Sequence, residues 1–158
     1  MKKHTTNSPT QTKNLAKKIA KDFKGGETLG LVGELGSGKT QFVKGLAEFY
    51  KIKQAITSPT FVLIKPYEIK RDSSSSRVLG APQNKIEKLV HVDCYRLDNL
   101  DDLQDIGLNE FINDKNNITV IEWADKIKKT LPKNTTWIKF SLGKKQNQRI
   151  ISINSMLF

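Results

Sequence analysis

Gly33-Glu34-Leu35-Gly36-Ser37-Gly38-Lys39-Thr40 follows the pattern G-x-x-x-x-G-K-[ST], which cradles phosphate when it joins a strand to a helix. Glycines accept positive φ values because they carry no Cβ, so successive backbone N–H groups can converge on one anion. A helix starting at the lysine adds unpaired N–H donors and the positive end of a dipole. In such a loop Lys39 reaches the β/γ-phosphates, and the Thr40 hydroxyl is placed to ligate Mg²⁺. The flanks suit this chemistry. The apolar run Thr28–Val32 leads in as a strand, and residues 41–50 lead out with helical periodicity. A glycine-rich turn without a ligand is the bland alternative, and the strand–loop–helix setting weighs against it.

A phosphate loop also needs an anionic group near Mg²⁺, usually from the C-terminal end of a neighbouring buried strand. Two acids fit. Asp93 ends Leu89-Val90-His91-Val92, and Glu122 ends Ile118-Thr119-Val120-Ile121. One carboxylate can hold the metal while the other orients water. Ser58-Pro59-Thr60-Phe61 follows the loop's helix, where a hydroxyl residue of a switch can sense the γ-phosphate and Mg²⁺. Taken alone, that segment is a Ser-Pro turn opening a strand. Cys94 is the single cysteine and there are two histidines, which excludes an intramolecular disulfide and speaks against a zinc cluster. A reducing, cytoplasmic location is consistent with that usage.

The elements that must position these residues come next. The 158 residues suggest a single domain, 1–158, with 37% hydrophobic and 27% charged residues. Residues 1–9 are polar and expected to be disordered. Thr10 or Thr12 is the expected cap of a helix over 14–23, where Leu15, Ile19 and Phe23 recur at i, i+4, i+8; Gly25-Gly26 ends it. Residues 56–60 form a loop and 61–69 a strand. The serine-rich stretch 71–83 is expected to be a flexible loop between two hairpin strands. Lys88–Asp93 and 118–123 are buried strands, 98–113 is mostly helical with an interruption at Gly107, and 137–142 with 149–153 alternate like an antiparallel pair. The sum is an α/β chain: a three-layer P-loop NTPase-like fold with a parallel central sheet and antiparallel edge strands.

No apolar run approaches the length of a membrane span, and the start, with Lys2 and Lys3, lacks the apolar stretch of a secretory signal. A net charge of +11 favours polyanionic partners, RNA first among them. Lysine bias alone would give the same charge. The charge is spread along the chain, and no glycine-aromatic RNA-recognition motif is present.

The phosphate loop, Thr57-Ser58-Pro59-Thr60-Phe61, His91-Val92-Asp93-Cys94-Tyr95-Arg96-Leu97, Asp105-Ile106-Gly107-Leu108 and Val120-Ile121-Glu122-Trp123 occur in that order. Together they resemble the TsaE (YjeE) family of bacterial ATPases needed for threonylcarbamoyladenosine in tRNA, from Thr12 to about Trp123. The resemblance implies that Gly33, Glu34, Leu35, Gly36, Ser37, Gly38, Lys39 and Thr40 hold the ATP phosphates, and that Thr40 and Glu122 coordinate Mg²⁺. It implies a first switch at 57–61, including Ser58 and Thr60, and a second of Asp93, Tyr95 and Arg96, with Asp93 orienting the attacking water. Trp123 would pack beside the nucleotide and Thr12 near the adenine. The implied partners are a TsaB–TsaD pair, with tRNA in or near the complex, and hydrolysis would reset that complex. The stretch 70–88 is longer than the family's usual hairpin connection, and the C-terminal region is only loosely alike.

Other classes share some of these features. A small P-loop nucleotide or small-molecule kinase needs an arginine-bearing lid, yet only Arg71, Arg77, Arg96 and Arg149 are present. A GTPase would read guanine through N-K-x-D; Asn84-Lys85-Ile86-Glu87 ends in Glu and follows the serine-rich stretch. A basic RNA-binding scaffold with a degenerate nucleotide site sits poorly with an intact Lys39, Thr40 and Glu122.

Overall fold

The structure of the protein, a computed structural model, describes residues 2–58, 64–70, 86–97, 107–112 and 114–154. Among these residues seven strands and three α-helices follow in the order β1 (Lys2–Thr6), α1 (Pro9–Ala20), β2 (Thr28–Val32), α2 (Lys39–Phe49), β3 (Ile64–Glu68), β4 (Lys88–Asp93), α3 (Leu108–Phe111), β5 (Asn117–Glu122), β6 (Thr136–Leu142) and β7 (Arg149–Asn154), with a 3₁₀ turn, Ala124–Ile127, after β5. The strands form one sheet in the order β1-β7-β6-β2-β5-β4-β3. Its centre, β6-β2-β5-β4, is parallel, and the pairs β3–β4, β6–β7 and β1–β7 are antiparallel. This is the expected α/β architecture. Among the described residues no helix is long and apolar enough to cross a membrane.

Both faces of the central strands are covered, so those strands are apolar runs rather than alternations. Leu89, Ile118, Val120, Leu29 and Leu31 pack beneath α1 and α2. Val90, Val92 and Ile121 face the thinner layer of Leu108, Ala124, Ile127 and Leu131. Phe42 of α2 meets Phe140 of β6 edge to face, with ring centroids 5.7 Å apart. Such a pair adds about 0.5–1.5 kcal/mol beyond its buried area. The helices approach closely at Gly45, where a Cβ would stand 2.5 Å from the Lys13 carbonyl oxygen.

Two expectations near the N-terminus are corrected. Residues 2–6 are not disordered but form edge strand β1, in register with β7 from Lys2 opposite Ile153 to Thr6 opposite Arg149. Only Thr6 of this strand is buried; backbone pairing, which polar residues supply as well as apolar ones, holds it in place. The first helix starts earlier than its apolar periodicity suggested. Ser8 is the cap, its Oγ accepting from the Gln11 N–H at 3.2 Å, and Pro9 occupies the first turn, where no N–H is needed. Thr10 and Thr12 therefore lie inside α1. Pro66 is tolerated in β3 because that strand is an edge. The 71–83 loop and most of 98–113 lie outside the described residues; Gly107, at φ +67°, opens the short α3.

Candidate active site

The sheet register brings the candidate residues together. β2 runs into the phosphate loop, and Leu31 near its end stands opposite Glu122 at the end of β5. Glu122 in turn stands opposite Asp93 at the end of β4. Side chains of parallel neighbours in register share a face, and residues two apart on a strand share it too. Glu122, Asp93 and His91 therefore all lie on the face that carries α2.

Thr40, in the first turn of α2, donates its hydroxyl to Glu122, with Oγ1 2.9 Å from Oε1 and 3.1 Å from Oε2. Glu122 is 3% exposed. The buried His91 places Nε2 2.9 Å from the same Oε1. Asp93 takes the Ser58 hydroxyl on Oδ2 and the Tyr95 N–H on Oδ1, the latter at 3.0 Å. Lys126 donates to the carbonyls of Tyr95 and Leu97, which ties the segment after Asp93 to the 3₁₀ turn.

The phosphate loop has the backbone its sequence demands. Gly36 and Gly38 adopt φ of +73° and +103°. At Gly33 a Cβ would lie 2.5 Å from the Phe140 carbonyl oxygen, so any larger residue collides with backbone. α2 opens on Gly38, and no side chain among the described residues caps it, the condition under which first-turn N–H groups serve an anion. Lys39 folds back on the loop. Its Nζ donates to Gly33 O at 2.7 Å and Glu34 O at 3.0 Å and sits 3.8 Å from the centroid of a Trp123 ring. Burial holds the ammonium below its ordinary pKa, while Glu122, Asp93 and Asp125 pull the other way. Arg149 of β7 donates through Nε and a terminal nitrogen to Gly36 O, at 3.3 and 3.1 Å, and steadies the loop's tip.

A cleft of about 420 Å³ opens over this loop, its far wall made by Ser58, Asp93, Tyr95, Arg96, Glu122 and Trp123. A second recess of about 220 Å³ shares Gly36 and Gly38 and is lined by Ser8, Thr12, Gln41, Asn147 and Arg149. Thr12 is buried there, its hydroxyl 2.9 Å from that of Thr6. Leu35, on the loop, is 79% exposed. Thr60 lies outside the described residues. His91, Lys126 and Arg149 were given no role by motif reading. A histidine inside the apolar run Leu89-Val90-His91-Val92 was the available signal, since a buried imidazole needs a partner.

The site fits ATP with Mg²⁺. The loop is a backbone cradle a Cβ would obstruct at Gly33, and the buried Ser37 hydroxyl finds no partner among the described residues. Thr40 and Glu122 offer hydroxyl and carboxylate oxygens, the hard donors Mg²⁺ takes.

Fold and site together define an α/β protein of the P-loop type. The chain belongs to the TsaE family: residues 6–151 match the family model described as threonylcarbamoyl adenosine biosynthesis protein TsaE. It is similar to the tRNA threonylcarbamoyladenosine biosynthesis protein TsaE of Bacillus subtilis, 36% identical over 82% of this chain and 71% of that one. The protein of the same name from Aquifex aeolicus is 37% identical over 77% of this chain and 75% of its own. The crystal structure of Bacillus subtilis YdiB superposes with a TM-score of 0.72 at 30% identity, covering 98% of this chain and 84% of that one.

Proposed function

We propose that the protein is an Mg²⁺-dependent ATPase that serves formation of N6-threonylcarbamoyladenosine in tRNA, acting with TsaB- and TsaD-like partners. The observation that carries the reading is the Thr40–Glu122 hydrogen bond across 82 residues of chain, directly beside Lys39. It joins the two residues proposed to hold Mg²⁺. The pathway assignment rests on family membership and on the names its relatives carry.

In this reading Gly33 to Thr40 wrap the phosphates, and Lys39 exchanges the Gly33 and Glu34 carbonyls for β/γ-oxygens. Thr40 and Glu122 hold Mg²⁺, which when bound neutralises charge developing on the phosphates. Asp93 orients the attacking water once Ser58 leaves its Oδ2. Trp123 and Tyr95, whose rings lie 5.0 Å apart, exclude bulk water. No residue is an obvious built-in arginine finger; Arg96, three residues after Asp93, is the best internal candidate. A finger supplied by a partner raises such rates by roughly 10³–10⁵, and docking can also order the segments that carry Ser58 and Asp93. The lone chain is therefore slow.

The test is steady-state ATPase of the purified chain, alone and with reconstituted TsaB–TsaD partners, at low and high salt. Stimulation that weakens with salt supports the proposal, because a +11 surface assembles near RNA and acidic partners through screened charges. Fast hydrolysis by the lone chain, unchanged by partners, contradicts it.

A further inference from the structure

We propose that His91 is a positioning residue that aims the Glu122 carboxylate at the Mg²⁺ site, an inference that rests on the Mg²⁺–ATP reading above. His91 is fully buried in β4, one pleat back from Asp93. Its register partner on β5 is Val120, two residues before Glu122 on the same face. The imidazole thus lies behind the carboxylate, with Nε2 2.9 Å from Oε1. A carboxylate only accepts, so Nε2 carries the hydrogen and donates it. Nδ1 is buried and has no partner among the described residues.

A buried imidazole at this place has a cost that an aliphatic residue would avoid, since the neighbouring Leu89 and Val120 belong to the core. What it supplies is a fixed donor. Among the described residues the Glu122 carboxylate has two hydrogen-bond anchors, Thr40 and His91. Thr40 is itself a metal ligand in the proposed site. His91 is the anchor the metal does not share, so it keeps the carboxylate oriented whether the metal is bound or absent. Partners that orient a ligating carboxylate in this way typically change metal affinity or activity by about 10–100-fold when removed.

The test is calorimetric titration of ADP into the purified full-length chain, in EDTA and over a series of Mg²⁺ concentrations. The variants are His91→Leu, which removes the donor, His91→Asn, whose shorter amide stops short of Glu122, and His91→Gln, whose amide reaches the Nε2 position. The expected result is an Mg²⁺ midpoint about 10–100-fold higher for Leu and Asn, recovery in Gln, and unchanged ADP affinity in EDTA. In a Glu122→Ala background His91→Asn should add no further Mg²⁺ effect, because both act through one carboxylate. Should the Leu variant fail to fold, the Asn and Gln pair carries the comparison. An unchanged Mg²⁺ midpoint in folded Asn or Leu variants overturns the inference and leaves the Mg²⁺–ATP reading standing. Equal losses in EDTA and in Mg²⁺ across all three variants overturn it as well, since that is the mark of general destabilisation. A wild-type chain whose ADP affinity ignores Mg²⁺ removes the functional reading and the inference together.

Discussion

At the scale of residues, two acids stand side by side at the ends of β4 and β5 and have different neighbours. Glu122 is bound to Thr40 and Asp93 to Ser58. Glu122→Ala should therefore weaken Mg²⁺-dependent nucleotide binding, whereas Asp93→Ala should bind ATP and turn it over more slowly. Nucleotide titrations with and without Mg²⁺, alongside turnover, separate the two; the reverse pattern would swap the roles. The same strand end also carries a pH effect. Burial, then the neighbouring Asp93, pushes the Cys94 thiol from 9.0 up to about 12. A raised folded pKa means that stability is intact below the unfolded value and is lost as pH rises through the folded one. The stability advantage of wild type over Cys94→Ala should thus shrink from pH 9 towards 12, read as the difference in urea midpoints. Lys39, Thr40, Asp93 and Glu122 were legible in the sequence because spacing and strand-end position mark them. The pairing of His91 with Glu122 and of Ser58 with Asp93 was not, because it depends on strand register and loop path, which span 31 and 35 residues.

At the scale of elements, the buried strands were legible for a physical reason. β2, β4 and β5 are covered on both faces and so stand out as apolar runs. β1 was illegible because Lys-Lys-His-Thr-Thr has no apolar face; backbone pairing to β7 makes it a strand. α1 was half legible. Its apolar stripe marked the middle, while Ser8-Pro9 set the start. Trp123 leaves β5 with φ +58°, a turn that a continuous apolar reading through 118–123 does not reveal. One prediction belongs to the α1–α2 contact. Gly45→Ala would place a Cβ 2.5 Å from Lys13 O and 2.8 Å from the Ala16 Cβ. Overpacking costs about 1–3 kcal/mol and outweighs the helix-propensity gain of up to about 1 kcal/mol. A net loss of about 1 kcal/mol in urea unfolding is expected. Wild-type stability would mean the two helices separate more easily than their packing implies.

At the scale of the whole molecule, the parallel centre delivers three strand ends to one edge, where the glycine-rich loop, Glu122 and Asp93 meet; the proposed metal ligand Glu122 and the proposed water-orienting Asp93 are drawn from there. In the proposed reading the base lies in the recess beside α1, which Ser8, Thr12 and Gln41 help to line, and the sequence holds no sound guanine-reading N-K-x-D. ATP should bind more tightly than GTP in calorimetric competition, and equal affinities would revive a GTPase reading. The central claim is that the folded loop is a working ATPase site. Its most direct test is phosphate release from ATP in Mg²⁺ by wild type and Lys39→Ala, with circular dichroism confirming that both fold. Lys39 points into the site, and among the described residues its Nζ donates to its own loop's carbonyls, so the variant should fold and its hydrolysis should be abolished. Wild-type turnover in a folded Lys39→Ala chain would contradict the account.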